Sequence, residues 1–403
     1  MTDLARRLGT LDATAIGLGS MLGAGVFAVF GPAAASAGGW LPVAILVAGF
    51  VAYCNAAASA QLAAVYPSSG GTYVYGRERL GPWWGFTAGW GFVVGKTASC
   101  AAMALTFAAY VAPAYAKPVA AGAVVVLVLV NLRGITRTAL VTRILLGIVI
   151  FLLLLIIVLS ISDGSAGAEG PAQPVGPLDV LQAAGLLFFA FAGYARIATL
   201  AEEVVEPRRT IPRAIVGALG GALVIYLAVG VTLLHTLGAE RLSRSTAPLS
   251  DAVGPRWTFL VTIGAGAASL GALLALIAGV GRTALAMARE HDLPRWLAAV
   301  HPKFAVPHRA ELAVGVVVCV LVLTTDLRAV IGFSSFGVLV YYAVANLSAA
   351  TQTGADRRWP RSLNVIGLAG CLLLAATLPL GSVLVGLGVF AVGLAGRAVT
   401  AGW

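Results

Sequence analysis

Long apolar runs constrain this chain more than any other feature of its sequence. About twelve stretches of mainly apolar residues are each near the 20 residues that a helix needs to cross a bilayer. Hydrophobic residues make up 60% of the 403 positions and charged residues only 10%, and the mean hydropathy is +0.95. Soluble domains are far more polar. The sequence therefore predicts an all-α polytopic membrane protein that forms one transmembrane domain over residues 1–403.

Twelve membrane spans are predicted from these apolar runs. They cover residues 13–31, 41–63, 83–112, 118–133, 140–160, 180–201, 213–236, 257–287, 309–325, 329–351, 362–378 and 380–399.

Basic residues are divided unevenly between the loops on the two sides of the predicted membrane. If the N-terminus is cytoplasmic, the outer loops hold only Lys117, Arg241, Arg244, Arg256 and Arg328, and the inner loops hold most of the other arginines. The positive-inside rule then places both termini in the cytoplasm and the protein in the cytoplasmic (inner or plasma) membrane. These inner residues also explain the net charge of +10, so we expect no nucleic-acid partner.

Two of the predicted spans are interrupted. The first contains the glycine-rich stretch Gly17–Phe27, and the sixth contains the segment Phe188–Gly193. Glycine permits non-helical backbone, which survives in hydrocarbon only where it is buried in protein or lines a cavity. Broken helices at corresponding places in two halves are typical of inverted-repeat transporters that bind their substrate near the midplane. The alternative is that these glycines only allow close helix packing.

Several segments carry a family resemblance that extends along almost the whole chain. Besides the glycine-rich first span, they are Tyr66–Tyr75 (YPSSGGTYVY), Glu202–Val204 with Pro207–Arg213, Arg282, Met287–Arg289 with Leu293–Pro294, and His301–Phe304 before Pro307. Together they resemble the amino acid–polyamine–organocation superfamily of permeases. The resemblance implies a sodium/leucine-symporter-like fold with 5+5 inverted repeats and broken helices 1 and 6. The repeats are expected at 12–160 and 178–351, followed by two additional helices at 362–399.

The resemblance also implies where an amino acid binds. Backbone amides of Ala24 and Gly25 would face its carboxylate at the positive end of a half-helix. Carbonyl oxygens freed by unwinding would meet its ammonium, and these are expected at Ser20, Met21, Phe189 and Ala192. The predicted substrate-binding residues are Ser20, Met21, Gly23, Ala24, Gly25, Phe189, Ala192, Gly193 and Tyr194.

Aromatic residues beside the sixth-span break are expected to shape the pocket. Phe189 is the first candidate for a gate that closes the pocket from outside, with Phe191 and Tyr194 behind it. Single aromatic residues on membrane helices more often pack or face lipid, which is the alternative here.

Charged residues inside the predicted spans point to coupling. A charge at mid-helix costs about 2.5–3.5 kcal/mol on insertion scales, and Lys96 and Arg196 are such charges. Many relatives place a lysine in span 5, where sodium sits in sodium-coupled transporters, but residues 144–150 contain none. Lys96 or Arg196 is hypothesised to supply that charge, bracing helix 1 against helix 8. Lysine can lose a proton when desolvated, whereas arginine effectively cannot, so only Lys96 could carry a transported proton. A structural ion pair or snorkelling to the interface is the alternative.

An inner gate is also expected at the cytoplasmic end of helix 6. Glu202 and Glu203 would pair there with Arg77, Arg79 or Arg282. A solvated helix end is the alternative. The predicted coupling and gating residues are therefore Lys96, Arg196, Glu202 and Arg282.

The function predicted from the sequence is secondary active transport of amino acids by alternating access. Relatives that take basic amino acids or polyamines commonly have a carboxylate where this chain has Ala195, so proton-coupled uptake of neutral, small or apolar amino acids is expected. Exchange or export on the same fold, and transport of cationic amino acids or polyamines, stay open. A sensor or an enzyme is not favoured, since no nucleophile–base pair is evident. We expect no cofactor, metal or obligatory subunit, the lipid bilayer as surroundings, and sodium as a less favoured coupling ion.

Overall fold

A computed structural model describes residues 8–66, 70–134, 139–162, 174–194, 197 and 204–401. The named elements of this part are helical, which confirms the predicted all-α polytopic class. The α-helices, numbered along the chain, are α1 (Thr10–Met21), α2 (Ala24–Ala28), α3 (Phe30–Ala37), α4 (Leu41–Val65), α5 (Thr72–Leu80), α6 (Pro82–Val111), α7 (Ala116–Leu132), α8 (Ala139–Ser162), α9 (Pro177–Phe191), α10 (Pro207–Arg244), α11 (Pro248–Ala252), α12 (Thr258–Arg289), α13 (His308–Thr324), α14 (Leu327–Ala350), α15 (Arg361–Thr377) and α16 (Leu380–Ala401).

Membrane-crossing length and hydropathy occur together in ten helical segments of the described residues, and α15 is a shorter apolar helix. Each predicted span overlaps one or more of the helices. The main difference is span 7, predicted at 213–236, because α10 extends at both ends over polar residues that lower hydropathy without ending a helix. Proline is tolerated in the first turn, where Pro207 begins α10. Near the other end, Gly238 interrupts the helical backbone with a φ of 70°.

The interruption in the first span is present in the structure. Helix α1 ends at Met21, and α2 begins at Ala24 after a bend at Leu22 and Gly23. Gly23 has a φ of −58° and a ψ of −136°, which does not continue a helix. The bend therefore divides the span into short helices.

The interruption in the sixth span is present as well. Helix α9 ends at Phe191 and is followed by a 3₁₀ turn at Ala192–Tyr194. Carbonyl groups at such an end have lost their intrahelical partners and need others. The two interruptions therefore create polar backbone inside an apolar bundle.

Helices α6 and α14 form the centre of the bundle that surrounds these breaks. A Cβ atom on Gly91 would lie 2.8 Å from the carbonyl oxygen of Gly337, so the two backbones are in direct contact. A hydrogen bond of 2.7 Å between the hydroxyls of Ser99 and Ser334 joins the same helices. In the most apolar 18-residue stretch of α14, 78% of the residues are buried, whereas only 17% are buried in the corresponding stretch of α16. The last helix, α16, therefore lies at the periphery of the bundle. The inverted repeats at 12–160 and 178–351 stay a prediction.

Candidate functional site

The two helix breaks lie directly against each other. A Cβ atom on Gly193 would be 2.5 Å from the backbone carbonyl of Ser20 and 2.6 Å from the nitrogen of Met21. A Cβ atom on Gly25 would be 2.8 Å from the Cβ of Ala190. These approaches are possible only because both positions lack side chains. The structure thus brings together the two segments from which the sequence predicts substrate binding.

The glycines of the first span also pack closely against other helices. A Cβ atom on Gly23 would be 2.7 Å from the Cβ of Ala272 in α12, and one on Gly17 would be 2.2 Å from Cδ1 of Ile197. Close packing, the alternative to a binding role, therefore accounts for the absence of side chains here. Close packing does not involve the backbone amides of Ala24 and Gly25. The contact of these amides with a substrate carboxylate stays a prediction.

A tyrosine from α10 joins the ends of both broken helices. The hydroxyl of Tyr226 lies 2.6 Å from the carbonyl oxygen of Met21 and 3.0 Å from that of Ala190, and it donates between them. Its ring is fully buried and packs edge-on against Phe191, with the ring centroids 4.9 Å apart. Tyr226 therefore fixes the distance between α1 and α9. Sequence reasoning missed it, although a tyrosine inside an apolar run must find a partner for its hydroxyl.

Lys96 from α6 reaches the sixth-span break. Its Nζ donates to the carbonyl oxygen of Ala192 at 3.2 Å, and the residue is only 6% exposed. Tyr342 from α14 donates to the same oxygen at 3.4 Å. The partner that the structure shows for Lys96 is thus the end of the sixth span, while a brace of helix 1 against helix 8 by Lys96 or Arg196 stays a prediction. Lys96 forms no ion pair within the described residues.

The carbonyls predicted to hold a substrate ammonium divide into two groups. Those of Met21 and Ala192 already accept hydrogen bonds from protein side chains. The hydroxyl of Ser20 is also used within its own helix, because it donates to the carbonyl of Ile16 at 2.8 Å. Among the described residues, no side chain donates to the carbonyls of Ser20 and Phe189, the other two predicted ammonium acceptors.

The three aromatic candidates are buried beside this break. Phe189 is 7% exposed, and Phe191 and Tyr194 are fully buried. The ring of Tyr194 stacks on that of Tyr342 with centroids 5.1 Å apart and an interplanar angle of 27°. The structure therefore places all three aromatic residues in the packed interior beside the break, while their contribution to a pocket and the role of Phe189 as a gate stay predictions.

The remaining coupling candidates are not part of this cluster. Arg196 and Glu202, with Glu203, lie outside the described residues. Arg282 is exposed on α12, near Glu311 of α13. An inner gate that joins Glu202 to Arg77, Arg79 or Arg282 therefore stays a prediction.

Arg77 finds its acidic partners after helix α12. Its guanidinium lies 3.1 Å from Glu290 and 3.1 Å from Asp292. Asp292 is almost buried and also accepts from the Tyr73 hydroxyl at 2.7 Å and from Arg397 of α16. Burial and then the hydrogen bond to Asp292 raise the pKa of the Tyr73 hydroxyl, which therefore remains a donor. We call Tyr73, Arg77, Asp292 and Arg397 the Asp292 cluster.

Local sequence patterns do not predict the Asp292 cluster, because its members come from distant parts of the chain. Arg397 stands in the predicted span 380–399, where an arginine is as costly as the charges that were singled out. Its guanidinium also lies over the rings of Trp83 and Phe86, 5.0 and 4.9 Å from their centroids. The rule on intramembrane charges could therefore have found Arg397, but not its partner in a distant loop.

Comparisons with known proteins find one family and several relatives with similar sequences. The family model described as "Amino acid permease" matches residues 8–401. An uncharacterized transporter of Mycobacterium tuberculosis is 58% identical, over 98% of this chain and 92% of that protein. Cationic amino acid transporter 7 of Arabidopsis thaliana is 28% identical, over 89% of this chain and 68% of its own length. The methylthioribose transporter of Bacillus subtilis is 27% identical, over 86% and 81% respectively.

Proposed function

Because the chain belongs to the amino acid permease family, we propose that it takes up neutral amino acids across the cytoplasmic membrane together with protons. It is a transporter and not an enzyme. The proposed substrate site is the cluster of Ser20–Gly25 and Phe189–Tyr194, and the proposed proton carrier is Lys96. Helix α5, which contains Arg77, and the loop that contains Asp292 would then face the cytoplasm, as the positive-inside rule predicts.

One observation carries this proposal, namely the hydrogen bond from Lys96 Nζ to the Ala192 carbonyl. It places a buried ionisable group on the backbone that must change shape when a substrate enters or leaves. Intramembrane charges of this kind usually mark substrate pathways or proton relays. A desolvated lysine can release its proton, so it can serve as a carrier where an arginine could not.

The coupling mechanism follows from this contact. When protonated, Lys96 donates to the Ala192 carbonyl and keeps the 3₁₀ turn after α9 in contact with Ser20 and Met21. When Lys96 loses its proton toward the cytoplasm, this donor is weakened and the turn is free to move, which releases the substrate. Lys96 would regain a proton from the outer side before the next substrate binds, so each cycle would move one proton inward together with the amino acid.

The charge of Lys96 also supports a neutral substrate. The Lys96 ammonium would repel a second cation in the side-chain pocket. No carboxylate of the described residues pairs with Lys96 to neutralise its charge. Zwitterionic amino acids with uncharged side chains avoid this repulsion. Cationic amino acids are the second candidate, since several relatives are named as transporters of them at 28% identity.

The proposal is tested by uptake of labelled neutral amino acids into proteoliposomes under an imposed pH gradient, alongside counterflow without a gradient. Lys96→Met removes the proposed carrier, and Lys117→Met is a matched control. Lys117 is exposed at the start of α7, and its Nζ also donates to a backbone carbonyl, that of Leu323, at 3.0 Å.

We expect Lys96→Met to abolish uptake driven by the pH gradient while some counterflow remains, and Lys117→Met to behave like the wild type. Loss of one donor to a buried carbonyl costs about 1–3 kcal/mol, so counterflow should weaken as well. Proton-driven uptake that survives Lys96→Met would contradict the carrier role. Uptake of arginine or lysine in preference to neutral amino acids would contradict the substrate class.

A further inference from the structure

A buried polar junction joins three helices away from the substrate site. Asn55 of α4 and Asn346 of α14 are both fully buried, and Asn346 Nδ2 donates to Asn55 Oδ1 at 2.6 Å. The thiol of Cys371 in α15 donates to the same oxygen at 3.2 Å. We call Asn55, Asn346 and Cys371 the asparagine junction. It has no part in the transport mechanism proposed above.

Neighbouring groups fix the orientation of both amides. Asn346 Nδ2 also lies 3.0 Å from the carbonyl oxygen of Tyr342, so turning this amide over would set two oxygens against each other. Asn55 must in turn present its oxygen to Asn346 Nδ2. As a result, Asn55 Nδ2 and Asn346 Oδ1 are directed away from this contact. Neither atom has a hydrogen-bond partner within the described residues.

The chemistry of these two atoms identifies the ligand they would bind. Asn55 Nδ2 is a donor and Asn346 Oδ1 is an acceptor. A metal cation would satisfy only the oxygen, and an anion would satisfy only the N–H group. Water both donates and accepts, and buried polar groups that lack protein partners are generally bonded to internal water.

A polar face of α15 connects the junction to the end of the helix. Asn364, Gly367 and Cys371 are three and four residues apart and therefore lie on one face. Gly367 lies against the Asn346 amide, where a Cβ atom would be 2.4 Å from Oδ1. Asn364 is 1% exposed, its Nδ2 has no partner in the described part of the chain, and its Oδ1 accepts from Arg357 at 2.9 Å. Arg357 is half-buried in the loop before α15, so this face ends near solvent.

We propose that the asparagine junction binds internal water between Asn55 Nδ2 and Asn346 Oδ1, and that this water exchanges with solvent along the Asn364 face of α15. The hydrated junction would hold α14 against α4 and α15 one helical turn from Tyr342. Since the Tyr342 hydroxyl donates to Ala192, the junction would also maintain the position of α14 at the substrate site. This role is independent of which solute is transported.

Cys371 is a native reporter for this water. In protein carrying Cys54→Ala, Cys100→Ala and Cys319→Ala, the S–H stretch of Cys371 can be followed by infrared spectroscopy after transfer to D₂O. The control moves the thiol by one turn with Cys371→Ala and Leu374→Cys in the same background. Leu374 is also fully buried on α15, but it belongs to the apolar core. Transport activity of both proteins verifies that they are folded.

We expect the Cys371 thiol to exchange at least about tenfold faster than the thiol introduced by Leu374→Cys, because the latter exchanges only when the protein opens. Asn55→Leu combined with Asn346→Leu should bring the Cys371 rate down toward the control rate. Equal rates at positions 371 and 374, whether fast or slow, would overturn the proposal. If the double leucine variant does not fold, the comparison between the two thiols still decides.

Discussion

At the scale of single residues, the sequence identifies costly groups better than it identifies their partners. Lys96 is recognisable because an intramembrane charge is rarely without a function. Its partner, the carbonyl of Ala192, cannot be recognised in the sequence, since every residue has a carbonyl. This carbonyl is available only because the sixth span is interrupted after α9. The hydroxyl of Tyr226 is a similar case, because its two acceptors are backbone atoms on other helices.

Gly193 provides the residue-scale prediction. Gly193→Ala would place a methyl group 2.5 Å from the Ser20 carbonyl, so the two breaks would have to separate. Overpacking of this kind costs about 1–3 kcal/mol. We expect a lower thermal unfolding midpoint and loss of amino acid uptake.

The matched control for Gly193 is Gly220 in α10, where an added Cβ atom would meet nothing within 4 Å. Alanine is preferred to glycine inside a helix by roughly 0.5–1 kcal/mol. Gly220→Ala should therefore preserve uptake and keep or raise the unfolding midpoint. Wild-type uptake by Gly193→Ala would show that close contact between the breaks is not required.

At the scale of helices, hydropathy predicts the elements well and their polar ends poorly. The predicted spans all overlap helices, because a bilayer requires apolar runs of a fixed length. Helix α10 continues beyond its predicted limits because arginine-rich turns remain helical outside the apolar layer. Contacts between distant loops and helices, such as the Asp292 cluster, depend on tertiary packing that no local pattern records.

Asp292 provides the prediction at this scale, since its carboxylate connects α5 and α16 to the segment after α12. Asp292→Asn removes the negative charge that faces Arg77 and Arg397. Breaking a buried ion pair costs about 3–5 kcal/mol. We expect a marked fall in the unfolding midpoint in detergent, measured by intrinsic fluorescence.

Glu290→Gln is the control for this prediction, because Glu290 pairs with the same Arg77 at the same distance of 3.1 Å but its side chain is 54% exposed. Exposed ion pairs contribute only about 0–1 kcal/mol. A similar loss of stability in the two variants would mean that burial of Asp292 does not matter.

At the scale of the whole molecule, the sequence predicts the class and family, and the structure supplies the arrangement around the breaks. The glycine-rich stretch of span 1 and the interrupted segment Phe188–Gly193 of span 6 are sufficient to predict breaks in these helices. The structure shows that the two breaks lie against each other. The sequence does not predict the substrate in the same way, because the proposed backbone amides and carbonyls would recognise the part that all amino acids share. In the proposed site, discrimination would depend on side chains and on charges such as Lys96.

The paired breaks and Lys96 together form the proposed site for neutral amino acids. The most direct test is the thermal stabilisation of purified protein by each of the twenty amino acids and by polyamines. A ligand at 100 times its dissociation constant stabilises the folded state by about 2.7 kcal/mol. We predict a raised unfolding midpoint with neutral amino acids only, and no such shift in Gly193→Ala. Stabilisation by arginine, lysine or polyamines alone would contradict the account.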